Sequence, residues 1–171
     1  DHQIMLANLA EDAKFDAIFL PDTYAVLGPS FLRKPRRGLE PAVLLAALAR
    51  ETKHLGLIAT ASSLTGHPYN VARRIATLQQ VSKGRAGCKI VTSQENEALQ
   101  ALGIPLSEKL DRATRYERAT EFVEIVEAYW NSLPKEAIVA DKEGDVYIDP
   151  SLAHPVDYKG KHFTTSGILQ L

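Results

Sequence analysis

The chain has 171 residues, enough for one ordinary domain with a sizeable core. Its 45% apolar and 24% charged residues have the balance of a soluble globular protein, and 20 basic against 21 acidic side chains leave a formal charge of −1. That balance argues against a nucleic-acid partner, which needs a concentrated basic surface, and the lone cysteine, Cys88, excludes an intrachain disulfide.

Ile4, Leu6, Ala7, Leu9 and Ala10 recur at near-helical spacing and predict a helix ending around Lys14. The aromatic and branched run FDAIFL, residues 15–20, then reads as a short strand closed by Pro21. The basic run Arg33, Lys34, Arg36 and Arg37, interrupted by Pro35 and closed by Gly38, reads as a solvated loop. Glu40-Pro41 opens a second helix, since a proline this early loses no intrahelical bond. Val43, Leu44, Leu45, Ala47 and Leu48 carry it to about His54, and Gly56 marks the stop. Leu57-Ile58-Ala59 begins a second strand that runs into Thr60-Ala61-Ser62-Ser63. After Gly66-His67-Pro68, with Asn70 as a candidate N-cap, a third helix spans about residues 70–81. Lys83-Gly84-Arg85 then turns the chain into a third strand at residues 86–91. Strands alternating with helices are the signature of parallel βαβ units joined by right-handed crossovers, their strands covered on both faces.

The connection from Thr92 to about Asp111 is too long for a plain turn and has room for a small helix at residues 96–102. The clearest helix follows, over about residues 115–130. Ala119, Phe122, Val123, Val126, Tyr129 and Trp130 mark one face, with Trp130 as a core anchor, and Glu117, Glu121, Glu124 and Glu127 lie largely off it. From about residue 133 to 163 the chain reads as irregular. His154, Asp157 and His162 fall there at a spacing that matches no metal motif, so no metal site is expected. The whole is expected as one domain over residues 1–171, with ends that look like cuts through a larger chain. No run approaches the roughly 18 apolar residues of a membrane span, and the cysteine usage fits a reducing, cytoplasmic compartment.

In a parallel sheet or barrel, ligands sit at the carboxyl ends of the strands. Here those ends deliver Pro21, Asp22 and Thr23, then Thr60, Ser62 and Ser63, then Thr92 and Ser93. The result is a hydroxyl-rich rim with one carboxylate, suited to hydrogen bonding a polar heterocycle or a phosphate. Paired-carboxylate hydrolysis would need a second acid there, and no G-x-G-x-x-G, phosphate-binding or nucleophile-elbow motif is present.

The segments FDAIFLPDT, LEPAVLLAALARETKHLGLIATASS, PYNVARRIATLQQVSKGRAG, KIVTS and RYERATEFVEIVEAYW occur in an order that is informative as a set. They are similar to successive segments of the bacterial-luciferase-like flavin-dependent monooxygenases, the group of nitrilotriacetate, dibenzothiophene-sulfone and pristinamycin-type enzymes. The resemblance runs from about Phe15 to Phe163 and includes DKEGDVYIDPSLAHPVDYKGKHF, which resembles that group's long insertion. It implies an α/β fold, a (β/α)8 TIM barrel present here as a partial barrel of about its second to fourth strands. It also implies reduced FMN at the C-terminal face and reaction with dioxygen to oxygenate a small organic substrate. A separate NAD(P)H:flavin reductase would supply the reduced FMN, and the enzyme would be a homo-oligomer.

Position by position, the resemblance places Asp22 near the flavin ring and makes Thr60 and Ser62 ring or substrate neighbours. Tyr69 and Asn70 match the loop opening the third barrel helix, Thr92 and Ser93 the end of the fourth strand, and Tyr116 a tyrosine turned toward the flavin phosphate. It assigns no catalytic residue. Two departures stand out. Cys88-Lys89 replaces the usual Trp-Asn, whose Asn points into the flavin site, so Lys89 joins the cofactor-binding set. Arg112-Ala113 replaces a common His-Asp. Strand alternation sends Lys89 and Val91 inward and Ile90 toward the helices, so Lys89 is expected within reach of Asp22 or of the cofactor. These departures keep a second reading open, a non-catalytic barrel-fragment relative serving as a structural or interaction module.

Overall fold

The computed structural model describes residues 2–22 and 38–170; Thr23 and the basic run from Arg33 to Arg37 lie outside the described residues. Three strands, β1 (Ala17–Leu20), β2 (Gly56–Ser62) and β3 (Ala86–Val91), form a parallel sheet in that order. Helix α1 (His2–Asp12) precedes β1, α2 (Pro41–Glu51) leads into β2, and α3 (Pro68–Val81) joins β2 to β3. The short α4 (Asn96–Ala101) and the long α5 (Arg112–Trp130) follow.

The helix starts follow from capping chemistry. Glu40 accepts the Val43 N–H at 2.6 Å with Pro41 in the first turn of α2. For α3 the cap is His67, whose Nδ1 accepts the Tyr69 N–H at 3.3 Å, and not the expected Asn70. Pro68, with its fixed φ, starts that helix two residues earlier and leaves Asn70 inside the first turn. Asp111 likewise draws the start of α5 back to Arg112 by accepting from the Thr114 N–H at 3.0 Å and hydroxyl at 2.6 Å.

The helices pack on one face of the sheet. Leu57, Ala59 and Ala61 of β2 are buried there with Leu45 and Leu48 of α2 and Val71, Ala72 and Ile75 of α3. From α5 come Phe122, Ile125, Val126 and Tyr129, a stripe at three- and four-residue spacing. Trp130 is not the core anchor its aromatic bulk suggests. It lies a helical step off that stripe, remains 38% exposed, and donates its indole N–H to the Ala72 carbonyl at 3.0 Å.

The stretch expected to be irregular holds two small antiparallel hairpins. They pair β4 (Ile138–Asp141) with β5 (Val146–Ile148) and β6 (Val156–Lys159) with β7 (Thr164–Gly167). Strands of three or four residues are too short for an alternating pattern to show. No helix among the described residues is long and apolar enough to cross a membrane.

At the start of β2 one carboxylate organises the turn. Glu11 of α1 accepts the backbone N–H groups of Lys53 at 2.9 Å, His54 at 2.6 Å and Leu55 at 2.9 Å. These donors, His54 foremost and then Leu55, lower its carboxyl from 4.5 to about 2. Because the folded value is depressed, the stabilisation is present above the ordinary carboxylate range and is lost as pH falls toward 2. Glu11→Gln should therefore lower stability at neutral pH, and the gap to the parent in urea melts should close on acidification between about 4.5 and 2. A gap constant with pH would contradict this. Phe122, fully buried, should cost about 3–5 kcal/mol on replacement by Ala in the same melts.

Candidate functional site

Register and alternation divide the sheet into two faces. Ile58 stands opposite Phe19 and Gly87, and Thr60 opposite Lys89. With Leu57, Ala59 and Ala61 committed to the helices, Phe19, Ile58, Thr60, Ser62, Gly87, Lys89 and Val91 take the other face. The Lys89 side chain confirms it, reaching across β2 to place Nζ 4.4 Å from the centre of the Phe19 ring. Gly87 keeps that surface low, since a Cβ there would stand 3.0 Å from the Ile58 side chain. The face thus carries an apolar floor of Phe19 and Ile58, with hydroxyls and an ammonium toward the carboxyl ends.

The expected direction of Lys89, away from the packed helices, therefore holds. Lys89 lies exposed over the Phe19 ring. A quadrupole face attracts an ammonium without desolvating it.

Beside this face, a cavity of about 240 Å³ gathers Asp22, Thr60, Ser62, Thr65, His67, Asn70 and Arg74. Three of the expected site residues, Asp22, Thr60 and Ser62, thus meet. Two of their hydroxyls also serve the local backbone: Thr60 donates to the Leu20 carbonyl at 2.9 Å, and Ser62 accepts the Leu64 N–H at 3.2 Å. Arg74 is held by Glu40 at 2.7 Å. The Thr65 hydroxyl is buried with no hydrogen-bond partner among the described residues.

Thr92, Ser93 and Tyr116 lie apart from that cavity. The Thr92 carbonyl accepts from Arg115 at 2.9 Å, Ser93 is exposed, and Tyr116 is exposed with the Arg112 guanidinium 5.7 Å from its ring centre. Arg115 retains a buried Nε with no partner among the described residues. One helical step on, Arg118 donates Nε–H to the Ser63 carbonyl at 3.1 Å. Helix α5 thus sends two arginines, three residues apart, to the ends of β2 and β3. Sequence reading passed over both; their i, i+3 spacing at the head of a helix that follows a strand end was the available signal.

Arg118 is also seated from its other side. Its guanidinium lies 4.1 Å from the centre of the Phe163 ring, and Phe163 meets the His67 ring edge-on at 6.2 Å. Phe163 is held by Glu121, which accepts the N–H groups of Lys161, His162 and Phe163 at 2.9, 3.0 and 3.1 Å. Burial opposes the charge on Glu121, yet those amides together keep its carboxyl below the usual range. Glu117 binds Lys161 Nζ at 2.8 Å and His162 Nε2 at 3.2 Å, which lowers its carboxyl too, Lys161 contributing most. The β6–β7 hairpin is thereby fastened to α5, with Phe163 between Arg118 and the head of α3.

Among the described residues no group of three or more His, Cys, Asp or Glu is placed to hold a metal ion. Cys88 faces the helices, and burial pushes its thiol up to about 11, too high for a nucleophile at neutral pH. Arg118→Met should remove a charged hydrogen bond and a cation–π contact, costing about 2–3 kcal/mol in denaturant melts. Lys161→Ala, which breaks an exposed ion pair, should cost less. Equal costs would show that Arg118 does not anchor the end of β2.

Comparison with known proteins places this geometry. The sequence profile described as luciferase-like monooxygenase matches residues 1–171. Dibenzothiophene-sulfone monooxygenase of Rhodococcus erythropolis is 39% identical over 97% of this chain and 38% of its own length. Nitrilotriacetate monooxygenase component A of Aminobacter aminovorans is 33% identical over 97% of this chain and 39% of its own. Among solved structures, riboflavin lyase with modified FMN and its substrate riboflavin superposes with a TM-score of 0.88, at 32% identity, over 98% of this chain and 39% of that one. The chain therefore spans about two-fifths of the length of these relatives. On the profile match and these identities, it belongs to the luciferase-like monooxygenase family.

Proposed function

We propose that this chain forms the FMN-facing part of a reduced-flavin-dependent monooxygenase, and that its sheet corresponds to about the second to fourth strands of a (β/α)8 barrel. The observation that carries the reading is the face bearing Phe19, Ile58, Thr60, Ser62 and Lys89, turned away from the described helices that pack on the sheet. In a barrel that face is the interior, where the carboxyl ends of the strands bind ligand.

The residues fit a flavin mononucleotide. Arg115 has a buried donor without a partner among the described residues, suited to an acceptor-rich ribityl or phosphate group; Tyr116 is exposed next to it in the chain, and Ser93 is exposed next to Thr92, whose carbonyl Arg115 binds. Lys89 offers a positive charge that complements the anionic reduced ring, and Asp22 an acceptor for ring N–H groups. Reduced FMN, when bound, would supply the electrons for oxygenating a small organic substrate with dioxygen. The protein's part is to orient the ring on the Phe19–Ile58 floor, to hold charge beside it through Lys89, and to exclude water. A relative described as a monooxygenase component supports a two-component arrangement in which a separate flavin reductase supplies the reduced FMN.

Anaerobic fluorescence titration of reduced FMN into the protein tests this. Binding is expected, and Lys89→Asn should weaken it about tenfold, the worth of one charge-assisted hydrogen bond. Tighter binding by Lys89→Asn would mean that the lysine occupies ring space and would support the non-catalytic reading. Absence of binding by the parent protein would overturn the flavin assignment.

A further inference from the structure

At the opposite end of the sheet, where the strands begin, lies a second cavity of about 270 Å³ whose chemistry differs from that of the candidate site. Two successive helix-to-strand turns build it. The turn from α2 to β2 brings Thr52-Lys53 and the turn from α3 to β3 brings Ser82-Lys83, a buried hydroxyl followed each time by an exposed lysine. Arg50 from the last turn of α2 and Arg85 from the start of β3 complete the lining, so among the described residues four cations and no acid line the space.

Arg85 makes the positive charge permanent. Its Nε donates to the Ser82 carbonyl at 2.8 Å, and Nη1 to the Thr52 hydroxyl at 2.9 Å and the Leu55 carbonyl at 2.7 Å. Its Nη2 donates to the carbonyls of Ala49 at 2.9 Å and Thr52 at 3.1 Å. All five donors are used on neutral acceptors, so the guanidinium is fixed in the wall with no carboxylate beside it. The same bonds cover the end carbonyls of α2, which would otherwise repel an anion. Arg50, Lys53 and Lys83 take part in none of the ion pairs among the described residues.

Compensation of helix dipoles does not account for so much charge. Each helix C-terminus carries about half a negative charge, so two offset about one cation of the four. Of the nearby acids, Glu11 is already engaged by three amides, and Glu51 is exposed on α2 and does not line the cavity. Lys83 itself adopts a left-handed φ of 57°, a conformation that is unfavourable for an L-residue, directly before Gly84 at 92°. Both turns and both helices that form the space belong to the described chain.

We propose that this cavity is a binding site for a compact multivalent anion of the phosphate class, held by Lys53, Lys83 and Arg50 in the fixed field of Arg85. It is separate from the face assigned to flavin and does not rest on that assignment. Calorimetric titration of the protein with inorganic pyrophosphate at low ionic strength tests it. Saturable binding of one equivalent is expected, weakening with added salt as charge is screened, and at least tenfold weaker in Lys53→Gln/Lys83→Gln. Arg112→Gln, at the other end of the sheet, should bind as the parent does, and excess FMN should leave pyrophosphate binding intact. Exposed lysines should not disturb folding, which matching thermal melts would confirm. Absence of binding, binding indifferent to the double substitution, or displacement of pyrophosphate by FMN would each overturn the proposal.

Discussion

The register of three short parallel strands governs where the chemistry of this protein can lie. With Ile58 opposite Phe19 and Thr60 opposite Lys89, alternation assigns every residue of β2 and β3 to the helices or to the other face. A one-residue slip of β3 would drive the Lys89 ammonium beneath α3, where an unpaired charge is prohibitive, and would bring Cys88 and Ile90 out of the packed layer. The apolar contacts of Leu57, Ala59 and Ala61 therefore do two things. They stabilise the sheet against its helices, and they deliver Thr60, Ser62 and Lys89 to a common surface.

Around that sheet, charged side chains act through backbone groups more than through one another. Glu11 and Glu121 each receive three successive amide N–H groups from a distant turn. Arg85 and Arg118 give their protons to carbonyls at the two ends of the strands. Such charge-assisted bonds are worth more than exposed ion pairs, and the ion pairs seen here are largely exposed ones. Helix α5 gains a double role from this arrangement. Its arginines hold the ends of β2 and β3, while its carboxylates fasten the β6–β7 hairpin, whose Phe163 wedges between Arg118 and the cap of α3.

Much of this was legible in the sequence where packing and local chemistry agree. All three strands, their order, and the helices between them follow from apolar runs punctuated by Gly and Pro, and the placing of Lys89 on the face away from the helices follows from alternation. Helix starts were misjudged where the cap was unexpected: His67 replaced Asn70 because Pro68 already fixes a helical φ. Trp130 departs from its expected burial because bulk does not fix a helix face, and the buried stripe carries Tyr129 and Ile125 instead. The small hairpins escaped notice because their strands are too short for alternation to register. Arg115 and Arg118 escaped it because their partners are backbone atoms tens of residues away, and a pattern of side-chain types does not encode those distances.

The family resemblance and the geometry meet on one surface, the floor of Phe19 and Ile58 with Thr60 and Lys89 above it. A crystal structure of the protein grown anaerobically with reduced FMN would test that meeting most directly. The isoalloxazine should lie on this surface, with Lys89 Nζ within hydrogen-bonding distance of the ring or its substituents. A flavin bound on the helix side of the sheet, or one at these strands with Lys89 still on the Phe19 ring and remote from it, would contradict the account.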